Sequence, residues 1–429
     1  MRPRVEGRSR TKLQRLIPLY LVVFVGFLGY SLMITVFTPM ILDGGWGPFS
    51  AASSTAKRTL VLGVLLALYP LGQFVGAPIV GALSDRFGRR PVLLVSLAAT
   101  TAWYAVIAAA LVTQSLVLLF VASLCAGLSE GNIVIAQSAI ADAAAASDRE
   151  RLFGYVYLAA SMGYVVGPLA GGKLADAALG TWFGYSAPYW VVAALLSLML
   201  AWMVFRFGET RGGGRERGQI SYLEAVTNLK NIVSAVELRR LYLINFLMYL
   251  AIFGFFRVYP MYLVDEFDLG VSRVSEFVAW VGVPIVIVNL GLVAALARRL
   301  SARATVVVFG LATGVLMSLI VVPRVVDALW ITLGSTALGV AICLPACAAM
   351  LSLAVRGNDQ GSVLGNNQSL QVGAEALSGF VGGALAALVV KLPLLVFAGF
   401  AVVAALLATR PRVRRADAAP PSPTQRRSR

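Results

Sequence analysis

Histidine is absent from this chain of 429 residues, and cysteine occurs three times, at Cys125, Cys343 and Cys347. Without imidazole there is no His triad, no HExxH zinc site, no His-ligated haem and no imidazole proton relay. The cysteines fall in apolar runs and form no CxxC pair. Cys343 and Cys347 share one helical face, which suits small-residue packing better than metal binding. No metal and no cofactor is therefore expected. Charge is scarce too. Only 13% of residues are charged and 59% are apolar, against roughly 25% and about 45–50% in soluble domains. With a mean hydropathy of +0.82, a water-soluble fold is excluded.

What the sequence has instead is apolar runs of membrane-spanning length, ~20 residues or more. They cover 16–41, 60–83, 91–112, 116–141, 152–174 and 187–207, then 241–264, 277–297, 304–322, 328–354, 362–390 and 392–408. The expectation is an all-α integral membrane protein with twelve transmembrane helices. Its parts are a basic tail (1–15), a six-helix bundle (16–207), a central loop (208–240), a second six-helix bundle (241–409) and a disordered basic tail (410–429). The basic start leads into a run too long for a signal peptide's apolar region, so no cleavable leader is expected. Placing both termini in the cytoplasm puts 29 of the 36 Lys and Arg residues on that side, as the positive-inside rule requires. The charge of +16 thus describes topology and contact with anionic lipid rather than a nucleic-acid partner. Within the central loop, Leu223, Val226, Leu229, Val233 and Val236 fall on one helical face, which suits a helix lying on the inner membrane surface.

Sliding the chain by 211 residues superposes Asp148 on Asp359, Gly154 on Gly365, Gly171 on Gly382 and Gly172 on Gly383. These matches fall at the fourth-to-fifth and tenth-to-eleventh junctions. Duplicated six-span halves around one midplane cavity explain that placement.

Between the second and third runs stands Gly81-Ala82-Leu83-Ser84-Asp85-Arg86-Phe87-Gly88-Arg89-Arg90. Three arginines alone would make a topology-setting loop, but that does not account for Gly81, Asp85 and Gly88. The segment resembles the signature loop of the major facilitator superfamily at every defined position. The resemblance implies an inner gate in which Asp85 caps the eleventh helix and Arg89 pairs with an acid at the inner end of the fourth, here Asp142. In the fifth run, Gly163, Gly167, Pro168, Gly171 and Gly172 make a stripe that lets helices approach closely. This stripe is similar to the G-x-x-x-G-P-x-x-G-G motif of the superfamily's proton-coupled antiporters. Together with residues 140–154 it points to the tetracycline-resistance-like branch. Two departures stand out: no acid in the first run around Tyr30, and Ser123 where such antiporters commonly carry arginine in the fourth.

Three ionisable side chains lie deep in apolar runs: Glu130, Arg257 and Glu375. Such residues cost at least ~2.5 kcal/mol to insert and are functional by default. Glu130 shares a helical face with Gln137, and Glu375 continues a polar stripe with Gln368, Gln371 and Ser378. Without histidine, the two glutamates are the available proton carriers. Arg257 can pair with a glutamate, bind an anionic substrate or snorkel outward. Asn132 and Asn245, like Gln73 and Asn289, suit interhelical hydrogen bonding as well as substrate contact. The expected function is proton-coupled export of a small organic or amphiphilic compound, such as a drug or a siderophore, by a monomer in the bacterial inner membrane. Its partners are that substrate, protons and the bilayer. Proton-coupled import of a nutrient and a transport-dead sensor are the other readings. An integral-membrane enzyme would need more buried catalytic groups than these.

Overall fold

A computed structural model describes residues 3–43, 45–47, 49, 53–143, 149–208, 232, 238–355 and 360–410. The helix expected over 223–236 (Ile232 excepted), Asp148, Asp359 and the tail past Arg410 lie outside the described residues. The helices are α1 (Pro3–Leu42), α2 (Thr55–Phe87), α3 (Arg89–Val112), α4 (Leu116–Ser129), α5 (Gly131–Ala143), α6 (Arg149–Ala175) and α7 (Ala187–Arg206). They continue as α8 (Arg239–Phe267), α9 (Val271–Ile287), a π-helical turn (Val288–Leu292), α10 (Val293–Arg299), α11 (Ala302–Leu319), α12 (Val326–Ser352), α13 (Gln360–Ala386) and α14 (Leu392–Thr409). No strand occurs among the described residues. Helix is what a bilayer demands, because every backbone polar group must be satisfied within its own segment. Serines open several of these helices. Ser54, Ser115 and Ser301 accept from the backbone N–H three residues on, at 3.4, 3.4 and 3.2 Å.

Among the described residues, ten helices are long and apolar enough to cross a membrane, where the sequence predicts twelve runs. The eighth run is broken: Pro284 removes a backbone donor, and the helix passes through the π turn after 17 residues. The eleventh, α13, is 27 residues long, but Asn366, Asn367, Gln368, Gln371 and Glu375 depress its hydropathy. The fourth run is also not a single helix. Its register shifts at Glu130, between α4 and α5, so Glu130 and Gln137 do not share one continuous face as expected.

The glycines matched at an offset of 211 pack equivalently. A Cβ at Gly171 would meet Leu32 of α1 at 2.8 Å, and one at Gly382 would meet Val258 of α8 at 2.6 Å. Both contacts lie within the glycine's own half of the chain. Gly172 instead abuts Ser275 of α9, and Gly383 abuts Gly63 of α2, each across to the other half. Gly154 and Gly365 both face open space. A parallel holds at the helix ends. Arg90 donates to Val204 and Phe207 carbonyls at 2.8 and 2.6 Å at the end of α7, and Arg303 donates to Ala408 and Thr409 carbonyls at 2.6 and 2.5 Å at the end of α14. Guanidinium groups there satisfy the last carbonyls and the negative pole of the helix.

The halves meet most closely at the end away from the Asp85 loop. Gly63 and Ala67 of α2 lie against Gly379 and Gly383 of α13, and Val165 of α6 lies against Gly282 of α9. Lys173 of α6 bonds Ser272 and Glu276 of α9 at 2.6 and 2.8 Å. In lipid no hydrophobic force drives helices together, so small residues that bring backbones into van der Waals contact hold this seam.

Candidate functional site

Arg257, on α8, is only 2% exposed and is among the largest fully buried side chains. It does not snorkel; it pairs with Glu375 of α13. Its Nη1 donates to the Glu375 backbone carbonyl at 2.6 Å, and its Nη2 lies 3.3 Å from Oε1. The hydroxyl of Tyr30, on α1, completes the arrangement. It accepts from Arg257 Nη2 at 2.5 Å and donates to Glu375 Oε1. Ser378 Oγ donates to the Glu375 carbonyl at 2.7 Å. Along the expected polar stripe burial is graded: Gln368 is exposed, Gln371 half-buried, and Glu375 and Ser378 buried.

Glu130 sits differently. It occupies the turn between α4 and α5, 1% exposed, with Oε2 lacking a hydrogen-bond partner among the described residues. The hydroxyl of Tyr69 on α2 faces its carboxyl and lies 3.5 Å from the hydroxyl of Tyr104 on α3. Glycines fix this position. Gly72 and Gly76 of α2 lie directly on the α4 backbone at Leu124 and Leu128, and Gly127 lies on the Tyr69 carbonyl. The Tyr69 ring stacks on Tyr30 at 5.2 Å between centroids, and Tyr164 of α6 meets Tyr30 edge-on at 6.2 Å. Tyr30, Tyr69 and Tyr104, all buried, thus join the two acids into one cluster, with the more exposed Tyr164 at its edge. With both glutamates ionised the cluster carries one net negative charge, and a single proton neutralises it. An uncompensated charge at this depth costs several kcal/mol, so protonation is tied to whatever else enters.

At the other site Arg89 is the hub. It lies 2.9 Å from Asp85 and 3.1 Å from Asp142, and it donates to Ser84 Oγ at 2.6 Å. Gly88, at φ +100°, makes the break between α2 and α3 that aims Arg89 inward. Arg86 lies over the ring of Phe87 at 5.4 Å, and Gly81 faces Val134 with room to spare. The capping of the eleventh helix expected of Asp85 would fall at residues 356–359, outside the described residues. The stripe on α6 serves two neighbours. Gly163, Gly167 and Gly171 lie on α1, and Gly172 lies on α9. Pro168 is buried among them.

Of the remaining expected residues, Asn132 donates to Thr100 Oγ1 at 3.2 Å, an interhelical bond. Asn245 is wholly buried with neither amide atom partnered, and Gln137 is half-buried. These three do not join the central cluster in any described contact. Tyr30, Tyr69, Tyr104 and Tyr164 do, and sequence reasoning missed them. The available signal was Tyr30 standing where an acid was looked for in the first run.

The family model described as Major Facilitator Superfamily matches residues 19–334 and 241–428. The chain belongs to the major facilitator superfamily. Among its relatives, the class C tetracycline resistance protein of Escherichia coli is 42% identical over 153 residues, 36% of each chain. The class G tetracycline resistance protein of Vibrio anguillarum is 31% identical over 315 residues, 72% of this chain and 76% of that protein. The chain matches only about a third of the class C protein's length, and three-quarters of the class G protein's. A solved bacterial homolog of the human lysosomal transporter Spinster, inward-facing and occupied, shares the fold. Its TM-score is 0.76 at 13% identity, covering 94% of this chain and 96% of that one. As a major facilitator protein, the chain is a multi-pass membrane transport protein.

Proposed function

We propose that this protein is a secondary active transporter of the bacterial inner membrane that exports a small organic or amphiphilic compound in exchange for protons. In this reading it has twelve spans in two six-helix bundles with both termini cytoplasmic. The eighth span runs through the π turn, and the eleventh is the polar α13. It works as a monomer by alternating access. The single observation that carries the proposal is the buried cluster of Glu130, Arg257 and Glu375 where the halves meet. A net-anionic group sealed from water must exchange charge with the cavity whenever the cavity opens. Each inward proton brings about 2.3 kcal/mol per 100 mV of membrane potential, enough to concentrate a substrate well over tenfold. The contacts among Arg89, Asp85 and Asp142 would serve as the inner gate. The seam of Gly63, Gly383, Gly172 and Ser275, with Lys173 and Glu276, would close the outer side.

The tetracycline-resistance relatives support a drug-like substrate, with a secreted metabolite such as a siderophore as the second candidate. Flux into everted membrane vesicles tests the direction. An imposed gradient, acid inside, is expected to drive tetracycline or ethidium into the vesicles, and Glu130→Gln is expected to abolish the effect without lowering expression. Uptake accelerated by protons moving in the same direction as the compound would establish the importer instead.

A further inference from the structure

Among the described residues, Tyr30 is the side chain of the N-terminal half that bonds into the Arg257–Glu375 pair, whose two members both belong to the C-terminal half. A phenolic hydroxyl has one proton to give and lone pairs to receive with. Here both capacities are used at once: the proton points to Glu375 and the oxygen accepts from Arg257. That double use is strongest while Glu375 is a carboxylate, because a hydrogen bond to an ionised acceptor is roughly twice as strong as a neutral one. A protonated Glu375 carries a hydroxyl of its own and no charge, so it loses its Coulombic hold on Arg257 and needs no donor from Tyr30. The Tyr30 ring is positioned separately, stacked on Tyr69 and edge-on to Tyr164. The hydroxyl's bonds can therefore change without the ring losing its seat. The titratable and charged groups facing Glu375 are Arg257 and Tyr30 in direct contact, with Tyr164 and Glu130 within electrostatic range.

We propose that Tyr30 is the positioning residue through which the N-terminal half senses the charge on Glu375. It latches α1 to the Arg257–Glu375 pair while Glu375 is ionised and releases it when Glu375 takes up a proton. This deepens the proton-coupled reading above and rests on it. The step is a proton transfer alone: a proton from the aqueous side forms an O–H bond on a Glu375 carboxylate oxygen, and no other covalent bond changes. The Tyr30 contact spans α1, α8 and α13, so its loss frees the two halves to move relative to one another. The close seam at the far end then opens or closes with it.

The test does not require knowing the substrate. Spin labels at Lys57→Cys and Leu388→Cys, in full-length protein with the three native cysteines replaced, sit on exposed positions beside the α2–α13 seam. Electron–electron resonance in lipid nanodiscs then reads the distance distribution across that seam as pH is varied. The wild-type pattern is expected to shift with pH. Tyr30→Phe keeps the ring and removes the hydroxyl. It is expected to change the population ratio at fixed pH by about tenfold, equivalent to about one pH unit in midpoint. Tyr189→Phe, which deletes a buried hydroxyl elsewhere, is expected to leave the titration in place. A Tyr30→Phe titration superimposable on wild type overturns the latch and leaves the proton-coupled reading standing. A wild-type distribution that ignores pH overturns that reading, and the latch with it. If Tyr30→Phe is not recovered monodisperse, Glu375→Gln with Tyr30 intact is expected to hold the wild-type acid pattern at every pH. Retention of the alkaline pattern there contradicts the proposal.

Discussion

Two glutamates lie at membrane depth on either side of α2, and they are held in opposite ways. Glu375 is locked to Arg257 by a direct ion pair and shares the Tyr30 hydroxyl with it. Among the described residues, Glu130 has no ion pair, one unpartnered oxygen and a tyrosine for company. Yet both lie within one turn of a glycine that rests on α2: Gly127 on the Tyr69 carbonyl, and Gly379 on the Ala67 backbone. The same backbone device therefore carries one acid held by a counter-charge and another that, among the described residues, has none. Burial alone does not give a carboxyl its role. Its counter-charge does.

The largest effect that would sharpen this contrast is on the paired side. Arg257→Met leaves Glu375 as a buried charge without its partner, and the expected loss of stability is about 3–5 kcal/mol. A collapse of the melting temperature in detergent would report it. Arg257→Met combined with Glu375→Met is expected to recover most of that loss, because no charge is then stranded. Next is the glycine seat beneath Glu130. In Gly127→Ala the new methyl runs into the Tyr69 carbonyl, so the backbones must part at a cost of about 1–3 kcal/mol. Gly154→Ala faces open space and is expected to gain up to about 1 kcal/mol of helix propensity, measured by the same melting assay. Third is Arg89, a buried arginine with two acids where Arg257 has one. Asp142→Asn still leaves Asp85 at 2.9 Å, so chemical denaturation is expected to show a loss of only about 1.5 kcal/mol. The smallest change in stability belongs to Glu130→Gln. With no ion pair to break, the melting curve is expected to stay within about 1 kcal/mol of wild type. The contrast breaks if Glu130→Gln destabilises as much as Arg257→Met.

Much of this architecture is legible in the chain because lipid imposes simple rules. Ten of the long apolar runs, the glycines paired at the offset of 211 and the Asp85–Arg90 segment correspond to features of the described residues. The pairing of Arg89 with Asp142 was implied by resemblance and occurs at 3.1 Å. What could not be read was local backbone irregularity and contact between distant spans. Pro284 is visible in sequence, but one proline does not reveal a π turn four residues later. The shift at Glu130 depends on how tightly α4 and α5 are pressed onto α2. Tyr30 was hidden for a different reason: in an apolar run it looks like any core aromatic, and its partner Glu375 lies 345 residues away. No periodicity within one span reports such a bond. Arg257 showed the same limit, with three readings open until Glu375 was found beside it.

The central claim, that the buried cluster exchanges a proton and that Glu130 is required for that exchange, is tested most directly by following protons themselves. Purified protein in sealed liposomes containing a pH-sensitive dye would be given an inward-directed tetracycline gradient. The account expects protons to move outward as the compound enters, and expects that movement to vanish in Glu130→Gln. Protons moving inward with tetracycline, or an outward movement unchanged in Glu130→Gln, would contradict it.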